Sequence, residues 1–155
     1  MNSPLLPLLF ISLLFFACNR QVATTSIQVL SKDAQGLISV AAEGTGATLP
    51  KRELSAQYKI LNEIIFNGIP SEKVSDLRLP LVDRRTTLSS GQQKSLDEIL
   101  SEENRNKYFS MFTRQSSSRQ FNAKNNRVER FIGKLRIDLL RTDLENKGII
   151  RKFGL

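Results

Sequence analysis

The chain has 155 residues and a formal net charge of +8, with no histidine and a single cysteine. The lack of histidine excludes Ser-His-Asp and Cys-His catalysis and imidazole metal sites, and one cysteine can supply neither an internal disulfide, a CxxC redox pair nor a thiolate zinc cage. Every Lys and Arg lies beyond residue 18, so the positive charge belongs to the remainder, whose length suits one domain with a real core. Such a surface attracts anionic partners and equally keeps a domain dissolved.

The opening segment, MNSPLLPLLFISLLFFACNR, is apolar from Leu5 to Ala17. That is the length of a signal-peptide core and falls short of the ~20 residues a membrane-spanning helix needs. We expect residues 1–17 to be an export signal, 18–25 a polar tether and 26–155 one globular domain. Ala17-Cys18 resembles the lipobox of bacterial lipoproteins, in which small or aliphatic residues precede a cysteine that is acylated and becomes the new N-terminus. Phe15 and Phe16 replace the usual Leu and small residue, and no Lys or Arg precedes Leu5, features familiar in relaxed lipoboxes of the Bacteroidota and spirochaetes. The resemblance implies lipidation at Cys18. At ~0.8 kcal/mol per buried methylene, a tri-acylated anchor is effectively permanent. Asn19, in place of the Asp that retains enterobacterial lipoproteins at the inner membrane, implies the outer membrane and leaves the face open.

In Ser26 to Leu30, Ile27 and Val29 alternate with polar neighbours at the period of a strand. KDAQG supplies a turn and Leu37 to Ala42 a second strand, giving a β-hairpin. Gly44 and Gly46 lead out of the sheet, and Pro50 suits the first turn of a helix over Pro50 to Asn67. Its expected core face carries Leu54, Tyr58, Leu61 and Ile65, widened by Ile60 and Ile64. Gly68 and Pro70 stop it. Residues 71–90 read as a connection packed by Leu77, Leu79 and Leu81, with room for a short helix.

Ser90 with Gln93 forms a capping-box pattern, opening a second helix to about Glu103. Tyr108 to Phe112 reads as a buried strand. RQSSSRQFNAKNN reads as a loop or long hairpin tip, followed by a strand over Val128 to Leu139 with Phe131, Leu135, Ile137 and Leu139 on one face. Thr142 with Glu145 predicts another capping box, and Gly148 the end of a short final helix. The order ββα-αββα implies an α+β fold, a two-layer domain of antiparallel hairpins packed against helices.

The loop GTGATLPK, Gly44 to Lys51, joins strand to helix but lacks the glycine that GxxxxGK needs before Lys51 and the third glycine of GxGxxG. It reads as a hairpin exit whose N–H groups remain able to meet an anion. The pairs Asp97/Glu98 and Glu102/Glu103 diverge on a helix and read as solvated charge, and Ser116 to Ser118 have no base partner. No catalytic residue, metal site or cofactor is expected. The strongest binding feature is basic: Arg114, Arg119, Lys124, Arg127 and Arg130 surround the hairpin tip, with Phe121 among them. Such a mixture suits RNA in a cytoplasmic protein. Export makes nucleic acid a poor partner and points to anionic lipid or glycan instead.

IIFNGIP (Ile64 to Pro70) and DLENKGIIRKFGL (Asp143 to Leu155) resemble segments of a group of small uncharacterised lipoproteins of the Bacteroidota, which share the Gly-x-Gly hairpin exit, a Phe-x-Gly-Ile-Pro turn and a Leu-Glu-x-x-Gly-Ile-Ile-x-Lys-Phe-Gly terminus. The resemblance implies no activity. Both segments also have structural readings, as a helix stop and as a terminus that returns Ile149 and Ile150 to the core while Phe153 pins the end. The expectation is a non-enzymatic envelope protein, held at the membrane by its N-terminal lipid and working as an accessory or scaffold through contacts with envelope proteins. The alternative is a binder of anionic glycolipid or peptidoglycan through the basic hairpin loop.

Overall fold

A computed structural model describes residues 27–71, 74–83, 87–115, 120–121 and 127–152. Strands β1 (Gln28–Lys32) and β2 (Ile38–Thr45) pair antiparallel. Asp33 closes their turn, its carboxylate accepting from the N–H groups of Gln35 and Leu37 at 3.0 and 2.9 Å. The chain then enters helix α1 (Leu49–Phe66), where the Thr48 hydroxyl accepts from the Lys51 N–H and Pro50 occupies the first turn.

At the far end of α1, Gly68 takes φ +71°, and its N–H donates to the Glu63 carbonyl at 2.9 Å. The following connection runs back along the helix end. Leu81 N–H donates to Ile64 O and Val82 N–H to Ile65 O, satisfying carbonyls that the last turn would leave bare. This tie, with a short 3₁₀ turn at Ser75–Leu77, buries Val74, Leu77 and Val82.

Helix α2 (Ser90–Ile99) and the single turn α3 (Glu102–Arg105) lead through a 3₁₀ turn, Asn106–Tyr108, into β3 (Phe109–Arg114). Two-residue β4 (Gln120–Phe121), long β5 (Arg127–Leu135) and helix α4 (Ile137–Asn146) follow. The sheet order is β1-β2-β5-β3, with β4 also pairing β5, and every pairing is antiparallel. The fold is α+β, in the expected order ββα-αββα. Within the polar run β4 pairs with β5, and residues 116–119 and 122–126 lie outside the described residues.

One face of the sheet carries Val40 and Ala42 from β2 with Phe131 and Leu135 from β5, and these join Ala56, Ile60 and Ile64 of α1 in a single core. Leu96 and Ile99 of α2 and Leu140 and Leu144 of α4 complete it. Gly133 faces the same layer. A Cβ there would come within 2.6 Å of the Phe112 ring, so the bare backbone makes room for Phe112, which stacks on Phe131 at 5.6 Å and meets the edge of Phe109 at 5.0 Å.

Several expectations shift. Tyr58 lies on the exposed side of α1 and Leu54 is only half-buried, because the buried stripe runs through Arg52, Ala56, Ile60 and Ile64. Leu79 is exposed, whereas Leu77 is buried and Leu81 packs partly on the core. The capping box is formed by Ser89 and Gln92, one residue before the predicted pair, and the second helix stops at Ile99. Strand β5 ends at Leu135. Ile137 and Leu139 belong to α4, so Thr142 and Glu145 fall inside that helix and do not open it. Ile149 is buried and Ile150 packs against the core, while Phe153 lies outside the described residues.

At Gly44 the backbones of helix and sheet approach closely. A Cβ on it would sit 1.8 Å from the Arg52 carbonyl oxygen, a backbone atom that only a shift of α1 could move. Gly44→Ala is therefore expected to lower stability by about 2–3 kcal/mol, the cost of overpacking a rigid contact. Urea denaturation measures this, and an unchanged midpoint would show that the helix is not seated against β2 as described.

Candidate functional site

Of the five cations expected around the hairpin tip, Arg119 and Lys124 lie outside the described residues, as does the side chain of Phe121. Strand alternation separates the other three. Arg127 stands two residues from Glu129 on β5, and Arg114 pairs opposite Phe131, so both share the helix-bearing face with Glu129. Arg130 has the opposite phase, and its Nη2 donates to the Gln28 side-chain oxygen across the outer face at 2.6 Å. The structure thus gathers Arg114 and Arg127 and sets Arg130 apart.

The gathering point is the Glu129 carboxylate. It is buried, with 8% of the residue exposed, and receives a third arginine from α1: Arg52, 4% exposed, donates through Nε to Oε2 at 3.0 Å. Arg127 reaches the other oxygen at 2.9 Å and Arg114 stands 3.6 Å from it. Arg52 is also satisfied by the loop, its Nη1 donating to the carbonyls of Gly46 and Ala47 at 3.0 and 3.2 Å. The GTGAT segment therefore presents acceptors to a cation here, opposite in sign to a phosphate-cradling loop.

Burial alone pushes the Glu129 carboxyl upward. The hydrogen bond and charge of Arg52, with the charges of Arg127 and Arg114, outweigh that effect and hold it below its ordinary value. Three guanidiniums around one carboxylate leave excess positive charge on the half-exposed side of the cluster, where Arg114 and Arg127 reach solvent. The side chains of Arg114 and Arg127 are 52% and 39% exposed, so part of each guanidinium faces water. An arrangement of this kind can hold an oxyanion.

Arg52 and Glu129 were not candidates on sequence grounds. The signal was present as two charged residues in phase with apolar stripes: Arg52 four before Ala56 on α1, and Glu129 two before Phe131 on β5. Each alone looks like a defect in a pattern, and only their meeting across 77 residues explains both.

The acidic pairs do not converge. Glu98 binds Lys147 at 2.7 Å, Asp97 accepts from Gln93 at 3.0 Å, and Glu102 approaches Arg105 at 3.8 Å. Among the described residues, no group of three or more His, Cys, Asp or Glu side chains comes together to hold a metal ion. A second polar knot ties α4 to the turn before β3. The Tyr108 hydroxyl donates to Asp143 and Lys107 pairs with the same oxygen, both at 2.8 Å. Burial raises the Tyr108 phenol far above its ordinary value, with the Asp143 contact adding to the effect. Ser116 to Ser118 and Cys18 lie outside the described residues.

No protein-family model matches the chain, and no curated protein or solved structure matches it.

Because the native carboxyl of Glu129 titrates below its ordinary value of 4.5, its contribution to stability is complete above that pH and is lost as the pH falls through the native value. Glu129→Gln removes the charge and leaves Arg52 buried against a neutral amide, at an expected cost of about 3 kcal/mol near pH 7. Denaturation curves at several pH values should show the difference between wild type and variant shrinking below pH 4.5. A constant difference would assign the stabilisation to shape rather than charge.

Proposed function

We propose that this protein is a lipid-anchored, non-enzymatic module of the bacterial cell envelope that holds an anionic glycan or glycolipid headgroup with the arginine-rich end of its long hairpin. The observation that carries this reading is the surplus of guanidinium over carboxylate around Glu129, with Arg114 and Arg127 partly in solvent. Arg119 and Lys124, which flank β4 in the sequence, carry further positive charge. Arg52 and Glu129 fix the base of this surface, and the outer arginines supply its affinity. The apolar leader and Ala17-Cys18 support an anchor at the outer membrane. Among the described residues, no helix is long and apolar enough to cross a membrane.

A second reading, an accessory module that works through protein contacts, is favoured by Leu79. This side chain is 76% exposed and stands at a groove shared with Leu81 and Ile150. Large apolar side chains left in solvent beside an apolar groove commonly mark contact surfaces.

Binding to purified peptidoglycan or to vesicles containing lipopolysaccharide should weaken about tenfold or more as ionic strength rises from roughly 0.05 to 0.5 M. The triple change Arg114→Glu, Arg119→Glu and Lys124→Glu should abolish it. Binding that ignores both salt and charge reversal would exclude the hairpin as the contact. Labelled palmitate should mark the wild type in cells and spare Cys18→Ala, and equal labelling would refute acylation at this residue.

A further inference from the structure

A cavity of about 330 Å³ lies between the end of β2, the first three turns of α1, and α3. Lys51, Leu54, Ser55, Tyr58 and Arg105 line it, with the Gly46 backbone at one side and Glu102 at the rim. Arg105 is the unusual member. It is only 5% exposed, yet its Nε is buried without a hydrogen-bond partner among the described residues. Its guanidinium rests over the Tyr58 ring at 5.5 Å. The nearest carboxylate, Glu102, stays 3.8 Å away with its side chain 76% exposed, so its charge is largely hydrated.

A buried arginine normally hands its donors to acceptors, as Arg52 does. Arg105 lines an open cavity with its Nη2 still 3.8 Å from a carboxylate, and burial lowers the affinity of its guanidinium for the proton. A ligand oxyanion would meet both needs. Lys51 is exposed beside it and adds a second cation, while Glu102 subtracts one charge, so the cavity balances a single negative charge better than a phosphate dianion. Tyr58 and Leu54 supply an apolar wall, and the Ser55 hydroxyl, already accepting from Thr45 N–H at 3.3 Å, can donate.

We propose that this cavity binds the carboxylate of a small organic acid or peptide chain end, with Arg105 holding the carboxylate, Lys51 closing over it, and Tyr58 with Leu54 covering an apolar side group. The site uses none of the hairpin arginines, so it stands or falls separately from the glycan reading. It also explains the exposed position of Tyr58, whose ring serves both the cation and the ligand.

The test titrates the full-length chain with N-acetylphenylalanine, with N-acetylphenylalanine amide and with inorganic phosphate, followed by amide NMR shifts and calorimetry. The acid should saturate and move the resonances of Thr45, Gly46 and Ser55, and the neutral amide should not bind. An acetylated tetrapeptide ending in phenylalanine separates the two sources: tighter binding than the amino acid assigns a chain end, and equal binding assigns a free acid. Arg105→Gln should weaken the acid about tenfold or more, the loss of one charge-assisted pair. Because Arg105 is buried, Lys51→Gln serves as the second variant, with an expected weakening of a few-fold in a chain whose fold is untouched. Binding of acid and amide alike, preference for phosphate, or indifference to both substitutions would overturn the proposal.

Discussion

The contact between Arg52 and Glu129 organises the molecule. It joins the first turn of the longest helix to the central strand of the sheet, and it also closes the loop that connects β2 to α1, through the carbonyls of Gly46 and Ala47. Such a pair is not a large source of stability, because desolvating two charges costs nearly as much as their attraction returns. Its effect is to select one arrangement. Glu129 lies opposite Gly44 in the β2–β5 register, on the face that carries Phe131, Gly133 and Leu135. A slip of one residue would turn the carboxylate to the outer face and strand Arg52 in the core, so the pair reports and enforces the register. Gly44 completes the constraint, since the helix backbone passes where its side chain would be.

That constraint has an electrostatic consequence. Arg52 is satisfied by Glu129 and the loop, but the carboxylate also attracts Arg127 at 2.9 Å and Arg114 at 3.6 Å, each partly in water. A structural ion pair thereby becomes the buried root of a cationic surface. The outer arginines are positioned by a group that the core already requires, which removes part of the entropy cost of presenting them to a ligand. The same argument separates Arg130, which the strand alternation turns to the other face and which bonds with Gln28.

How far the sequence could be read follows from how local each rule is. The β1–β2 turn, the Pro50 start and Gly68 stop of α1, and the overall order rest on residues within a few positions of each other, and they were legible. The errors arise where one pattern admits two answers. Ser89 and Ser90 each have a Gln three residues later, so the sequence holds two equivalent capping boxes, and α2 uses the first. Phe131, Leu135, Ile137 and Leu139 keep one alternating phase across a boundary. The strand nevertheless ends at Leu135, and the Arg136 N–H donates to Tyr108 O while Ile137, Leu140 and Leu144 form a helical stripe. On α1 the apolar residues are wide enough for two faces. The choice between Tyr58 and the Arg52-to-Ile64 stripe depends on a carboxylate 77 residues away.

The two buried arginines differ in how their donors are satisfied. Arg52 spends its donors inside the protein and fixes the fold. Arg105 is buried to a similar degree, among Tyr58, α1 and the turn of α3, but it faces a cavity and, among the described residues, meets a ring and a distant, hydrated carboxylate. Were Arg105 only a packing element, an uncharged side chain of similar length would fill its place without the cost of desolvating a charge. An anion in the cavity would complete the guanidinium, and the loop that Arg52 holds in place lines that cavity through Thr45 and Gly46. The fold-defining pair and the cavity thus share one short segment, Thr45 to Ala47.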